Sequence, residues 1–184
     1  MESEAVKRER LRLKKESKKA KLNEWHGKKI TLASEWIENE TTQKSRRIIR
    51  GGVYMCELGE NIGTEQGECR PVIVVSNDQI NLSSGNVSIV PLTKNLKKKA
   101  IFKNGEIVTY LNEPRYHSHY FLFKNKYPFL DYDSAVLGEE TKTVSKIRLK
   151  EHKGNIDVKD MEKIMIRIEW VFGLRKSLKN NKRA

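Results

Sequence analysis

Pro71-Val72-Ile73-Val74-Val75 is the stretch on which the fold turns. Five apolar residues in a row, with a polar loop before them and Ser76-Asn77-Asp78 behind, are too few for a buried helix. A run of this length reads as a β-strand covered on both faces. Outward from it the same punctuation repeats. Upstream, Val53 to Leu58 is a strand, and the polar, glycine-rich segment Gly59 to Cys69 is the loop between the two. Downstream, Ser83-Ser84-Gly85-Asn86 makes a turn before a strand over Val87 to Leu92. Pro91 is expected at an edge or a bulge, because it has no N–H for a ladder. Glu106 to Leu111 and Ser134 to Leu137 are expected as two more strands. Short strands joined by turns favour a small barrel over alternating strands and helices.

The two ends of the chain read differently. Asp157 can cap a helix in which Val158, Met161, Ile164, Met165, Ile168 and Phe172 recur at spacings of three and four. That stripe is core packing, and the helix is expected to close the barrel. Residues 1–29 carry 11 basic and 5 acidic side chains with few apolar ones, so they form a solvated helix or stay disordered. A second, short helix is expected to start at Thr31 or Ser34, with Leu32, Trp36 and Ile37 on its apolar face. Residues 41–47 read as a linker. The expected organisation is a basic helical or disordered extension over 1–47, a barrel domain over 48–178, and a basic tail over 179–184, frayed from Lys176 onward.

Net charge is +13 over 184 residues. Residues 1–47 hold 14 basic and 8 acidic side chains, and residues 48–184 hold 23 and 16, so the globular part is basic in its own right. Such a balance favours nucleic acid, an anionic membrane surface or an acidic protein as partner. No apolar run approaches the length of a membrane span, and the basic N-terminus lacks the apolar core of a secretory signal. Cys56 and Cys69 make neither a zinc spacing nor a disulfide framework, which fits thiols in a reducing cytoplasm. His117 and His119 alternate without a third ligand at metal spacing, and His26 and His152 are expected to be exposed. No metal or other cofactor is expected. The aromatic group Tyr116, Tyr120, Phe121, Phe123, Tyr127 and Phe129 is expected to pack over the barrel or across a dimer interface before it stacks bases.

Four blocks in order then become specific: Arg50-Gly51-Gly52-Val53-Tyr54; Gly63-Thr64-Glu65-Gln66-Gly67-Glu68-Cys69-Arg70-Pro71-Val72; Val75-Ser76-Asn77-Asp78; and Val90-Pro91-Leu92-Thr93. They resemble the MazF/PemK ribonuclease toxins, in which R-G-x-[VI]-[YW] leads into a G-x-E-Q-x-x-x-R-P loop, a strand ending near Asn and a strand ending in Thr or Ser. A fifth block, Asp133-Ser134-Ala135-Val136-Leu137 with Thr143-Val144-Ser145-Lys146 after it, resembles the family's D-S-V-x-L and R-T-I-D-K segments. The likeness spans roughly residues 48–175. Gly52 stands where the family has Asp, Lys142 where it has Arg, and Ser145 where it has Asp. The stretch Arg115 to Leu130 is longer than the family's connection, and the first 47 residues have no counterpart in its short members.

The resemblance implies an SH3-like barrel of the MazF/CcdB type, mainly β with a C-terminal helix, acting as a homodimer. It implies a metal-independent endoribonuclease that cleaves single-stranded RNA at selected sequences and is restrained by a cognate antitoxin, expected to be a protein. The family's catalytic pair falls on Arg70 and Thr93. Glu65 and Gln66 fall in the loop that shapes the RNA groove, and Asn77 and Lys94 are placed with them as RNA-binding positions. The chemistry suits these types. A guanidinium stays charged and grips phosphate oxygens in a fork, and a hydroxyl can bond the phosphate or the ribose. Without the family match, Arg70 reads as a solvated residue, Thr93 as a β-former and Glu65-Gln66 as a surface loop. Two alternatives remain open: a toxin of the same fold that binds a protein such as gyrase without cutting RNA, and an endoribonuclease neutralised by an RNA antitoxin.

Overall fold

The structure is a computed structural model and describes residues 3–174; the expected tail over 179–184 and the fraying from Lys176 lie outside the described residues. Seven strands form one antiparallel sheet: β1 (Gly52–Glu57), β2 (Cys69–Val74), β3 (Asn86–Thr93), β6 (His119–Leu122), β7 (Ser134–Leu137), β8 (Lys142–Ser145) and β9 (Leu149–Asn155). Neighbours run β6-β7-β3-β2-β1-β9, with β8 also beside β3. β4 (Lys98–Lys103) and β5 (Glu106–Pro114) pair as a separate ribbon. Helix α4 (Val158–Val171) follows the last strand. The mainly-β class and the C-terminal helix are as expected.

Burial explains the apolar run. Val72 and Val74 belong to one core cluster with Tyr54, Cys56, Val87, Ile89, Val144 and Leu149. Ile73 and Val75, pointing the other way, belong to a second cluster with Val53, Val90, Leu92 and the α4 residues Met161, Ile164 and Ile168. A strand alternates its side chains between faces, so a central strand with both faces covered has no polar position to spare. Each such side chain contributes about 1.5–3 kcal/mol through burial.

Pro91 departs from the expectation of an edge. It lies inside β3 and pairs with Val72 of β2. On the opposite side β8 pairs with β3 as far as Ile89, and β7 takes over from Leu92. Pro91 stands at that handover, where a residue without an N–H interrupts least. The strand at Glu106 exists but belongs to the outlying ribbon. β4, β6, β8 and β9 had no expectation. β9 is charged and largely exposed, as an edge strand is, and it carries no alternating pattern to find. Gly154 in β9 is required by close approach: a Cβ there would stand 2.3 Å from the Phe129 ring.

Asp157 caps α4, its carboxylate accepting from the Asp160 N–H at 2.8 Å. Met161, Ile164 and Ile168 are buried and Met165 packs against them, but Val158 and Phe172 are exposed and take no part in the core. Asp160 is buried and accepts from Tyr120 Oη and Tyr127 Oη, each at 2.8 Å, and from Lys126 Nζ at 2.9 Å. Burial raises its carboxyl, but bonds from Lys126, Tyr120 and Tyr127 outweigh that and hold it below the ordinary aspartate value of 3.8. Asp157 is lowered to about 2, first by Lys126 and then by the cap to Asp160. Carboxyls depressed in the folded state contribute stability that is complete above their unfolded values and is lost as pH falls through the folded ones. The melting temperature is therefore expected to fall between about pH 4 and pH 2, and Asp157→Asn to flatten that slope. Asp160→Ala, which strips a buried tyrosine hydroxyl of its acceptor, is expected to cost about 2–3 kcal/mol in urea unfolding.

The N-terminal region differs from the reading of two segments. α1 (Glu4–Glu38) is one helix of 35 residues capped by Ser3. Thr31 and Ser34 lie inside it, and Thr31 Oγ1 donates to the Gly27 carbonyl at 3.3 Å, so neither starts a helix. Spaced ion pairs run along it, including Arg12 with Glu9 and Glu16 and Lys28 with Glu24. Leu32 and Trp36 do face the barrel, but Ile37 is exposed. Residues 41–47 are not a bare linker, because α2 (Glu40–Ser45) occupies most of them. Beyond it a reciprocal clasp fastens the extension. Fully buried Lys146 donates to the carbonyls of Lys44 at 2.7 Å and Arg46 at 3.0 Å. Arg46 returns bonds to the Leu149 carbonyl at 2.8 Å and the Lys150 carbonyl at 3.1 Å.

Candidate active site

The register of β2 against β3 assembles the site. The ladder ends at the pair Val72 and Pro91, so Arg70 lies two residues beyond it on one strand and Thr93 two residues beyond it on the other. Both line one cleft of about 440 Å³, with Lys94, Lys153, Phe129 and Tyr132 around them. Arg70 is half-buried at the start of β2. Its Nε donates to the Gly67 carbonyl at 2.6 Å, and its Nη1 donates to Gln66 Oε1. The guanidinium is thus held by the loop before it, and among the described residues Nη2 takes no hydrogen bond. Thr93 Oγ1 accepts from the Asn95 N–H at 3.2 Å, which leaves its own hydrogen and a second lone pair for a ligand.

Charge and rings complete the cleft. Lys94 Nζ lies 5.4 Å from the centre of the Tyr132 ring. Arg70, Lys94 and Lys153 put three cations on the walls against the carboxylates of Glu68 and Asp131. Such a surface suits a phosphate chain with an unstacked base beside it. Phe129 has a double role, packing on the core at Gly154 while lining the cleft. Among the described residues no three His, Cys, Asp or Glu stand close enough to hold a metal ion. His119 is buried with Nε2 on Glu139 at 2.8 Å.

The loop holding Arg70 is tightly folded. The Glu68 N–H donates to the Gly59 carbonyl at 2.6 Å, and Leu58 N–H donates to the Glu68 carbonyl at 3.0 Å. Gly67 faces that same Gly59 carbonyl, where a Cβ would come within 2.6 Å. Glu68 takes a φ of 63° to close the loop, a conformation that side chains rarely adopt.

The other expected positions divide. Gln66 grips Arg70 from behind and does not line the cleft. Glu65 is exposed in another cleft of about 230 Å³, which Arg70 also lines together with Lys18, Glu60 and Asn61. Asn77 is not brought to the site. It sits beyond the other end of β2, on the order of 20 Å along the strand, and its Oδ1 caps α3 (Asp78–Ser83) by accepting from Gln79 N–H at 2.8 Å. Lys153 and Tyr132 were missed: Lys153 lies on the edge strand that sequence did not reveal, and nothing local ties Tyr132 to Arg70. Glu140, remote in sequence, lies with Oε2 3.5 Å from the Gln66 N–H.

Residues 49–172 match the family described as "PemK-like, MazF-like toxin of type II toxin-antitoxin system". The chain belongs to this family. It is 34% identical over 125 residues to the endoribonuclease MazF of Staphylococcus saprophyticus, covering 68% of the chain and 91% of that protein. It is 36% identical over 104 residues to the endoribonuclease MazF of Staphylococcus epidermidis, covering 56% of the chain and 73% of that protein. In fold it is similar to the crystal structure of MazF from Deinococcus radiodurans, with a TM-score of 0.53 at 17% identity over 70% of the chain and 98% of that structure. As a MazF/PemK-family toxin the chain is an endoribonuclease. The family match begins at residue 49, so α1 and α2 lie outside it. No helix among the described residues is long and apolar enough to cross a membrane.

Proposed function

We propose that this MazF/PemK-family toxin cleaves single-stranded RNA at selected sequences, without a metal, through attack of the ribose 2′-hydroxyl on the adjoining phosphate. The observation that carries this reading is the meeting of Arg70 and Thr93, from two adjacent strands, in one basic, ring-lined cleft. Arg70 neutralises the charge that develops on the phosphorus-bound oxygens, where a fixed donor acts most strongly. Thr93 bonds the attacking or the leaving oxygen. Lys94 and Lys153 hold neighbouring phosphates, and Tyr132 offers a face for a base. RNA supplies its own nucleophile, so the protein's task is positioning and charge stabilisation. Mapping the ends that purified protein leaves in a long RNA tests the reading; random ends, or none, would remove the claim of selective cleavage.

The toxin acts as a homodimer in the cytoplasm, restrained by a cognate antitoxin that occupies the RNA cleft. A MazE–MazF complex from Deinococcus radiodurans, matched with a TM-score of 0.50 at 17% identity over 71% of this chain, supports an antitoxin as the class of partner. Buried Cys56 and exposed Cys69, neither in a disulfide, suit a reducing compartment. An isologous pair is the commonest assembly. Light scattering is expected to give a mass near twice that of the chain, and a monomer at working concentration would exclude a dimeric RNA groove.

A further inference from the structure

The first helix, which lies outside the family match, runs past the loop that grips Arg70. Lys18 Nζ donates to Glu60 Oε1 at 2.5 Å and also to the Asn61 carbonyl. One turn on, Lys21 pairs with Glu68 at 3.2 Å. One turn further, Trp25 packs against Gly59, where a Cβ would meet its ring at 2.3 Å. The Arg148 guanidinium also packs on the Trp25 ring, 5.3 Å from its centre. Three successive turns of α1 therefore touch three points of one loop.

Inside the loop the contacts continue to the arginine. Asn61 Nδ2 donates to the Gln66 carbonyl at 2.6 Å, Gln66 Oε1 accepts from Arg70 Nη1, and the Gly67 carbonyl accepts from Arg70 Nε. Lys18 sits at the head of this chain. It bonds the Asn61 backbone, whose side chain fixes Gln66, whose side chain fixes the guanidinium. The Glu60 carboxyl is held below its ordinary range chiefly by Lys18, and its side chain is only 14% exposed. The loop holds three glycines and a left-handed glutamate, so unaided it has more conformations open to it than most segments of its length.

We propose that α1 is a positioning strut for the catalytic arginine, with Lys18 as its positioning residue: it selects the loop conformation in which Gln66 and Gly67 hold Arg70 toward the cleft. This rests on the reading of Arg70 as catalytic. The role differs from that of a basic arm that merely attracts RNA. An arm lowers affinity uniformly when its charge is removed and changes the salt dependence. A strut lowers the rate at saturating RNA, because a small misplacement of a transition-state donor costs rate.

The test compares Lys18→Met, Lys18→Arg and Lys15→Met in the full chain, using single-turnover cleavage at saturating RNA beside measured RNA affinity and melting temperature. Lys15 is an exposed lysine of the same helix and controls for the loss of one charge. Lys18→Met is expected to lose about tenfold in saturated rate, with affinity changed no more than by Lys15→Met and an unchanged melting temperature. Lys18→Arg is expected to recover most of the rate. On a Gln66→Ala background, Lys18→Met is expected to add little, because the chain of contacts is already cut. An undiminished saturated rate in Lys18→Met, or a loss confined to affinity, overturns the strut. An additive effect on the Gln66→Ala background overturns it as well. Arg70→Ala separates the two readings: if it still cleaves at the wild-type rate, the catalytic assignment fails; if it is inactive while Lys18→Met is unaffected, only the strut fails.

Discussion

Arg70→Ala is expected to cleave RNA about two to three orders of magnitude more slowly than the wild type, the scale for loss of one preorganised transition-state donor. The guanidinium is anchored at Nε and Nη1 by Gly67 and Gln66, so it keeps its place before substrate arrives and needs no reorganisation during reaction. Removing it leaves the phosphorane charge to Lys94 and Lys153, which are flexible point charges and not a fork. Thr93→Ala is expected to lose a comparable factor, since its hydroxyl is the group assigned to the attacking or leaving oxygen. Neither change opens a core cavity, because both residues are only half-buried. Circular dichroism and the melting temperature should therefore stay close to those of the wild type. Single-turnover rates with a defined oligonucleotide decide the matter, and a variant within threefold of the wild type would remove that residue from the mechanism.

An RNA with a single 2′-deoxyribose at the cut site is expected to bind and remain whole. Cleavage of the ordinary substrate is expected to persist in excess EDTA and to leave a 2′,3′-cyclic phosphate with a free 5′-hydroxyl. Enzymes that direct water at a phosphodiester use one or two metal ions held by clustered carboxylates. The carboxylates lining this cleft, Glu68 and Asp131, join no group of three ligand types among the described residues, and Glu68 is paired to Lys21 on α1. The nearest nucleophile is then the 2′-hydroxyl, already beside the phosphate, where proximity replaces a bimolecular encounter. Removing that one oxygen removes the reaction while leaving the phosphate contacts in place. Product mapping and electrophoresis read the outcome. A cut at the deoxy position, or strict dependence on added magnesium, would sink the 2′-hydroxyl route.

What the sequence determined by itself was local. Pro71 to Val75 had to be a strand with both faces covered, because five consecutive apolar side chains alternate between two sides and each side needs a core. Asp157 and the three-and-four spacing behind it dictated α4, since a cap and a helical stripe are read over a single turn or two. The motif blocks marked Arg70 and Thr93 because their neighbours in sequence carry the family pattern. What tertiary structure decided were the features that depend on residues far apart in the chain. Only the pairing of β2 with β3 brings the Arg70 and Thr93 ends of those strands to one cleft, and only the pairing of β9 with β1 brings Lys153 there. Asn77 shows the reverse case: its motif neighbours it to the site in sequence, while a strand's length in an extended chain carries it to the other end of the sheet. The charged stretch read as solvated or disordered is a largely exposed helix, and its contacts with the Arg70 loop were hidden for the same reason. Lys18, Lys21 and Trp25 look like ordinary surface residues until the fold presents them with Glu60, Glu68 and Gly59, some forty residues away.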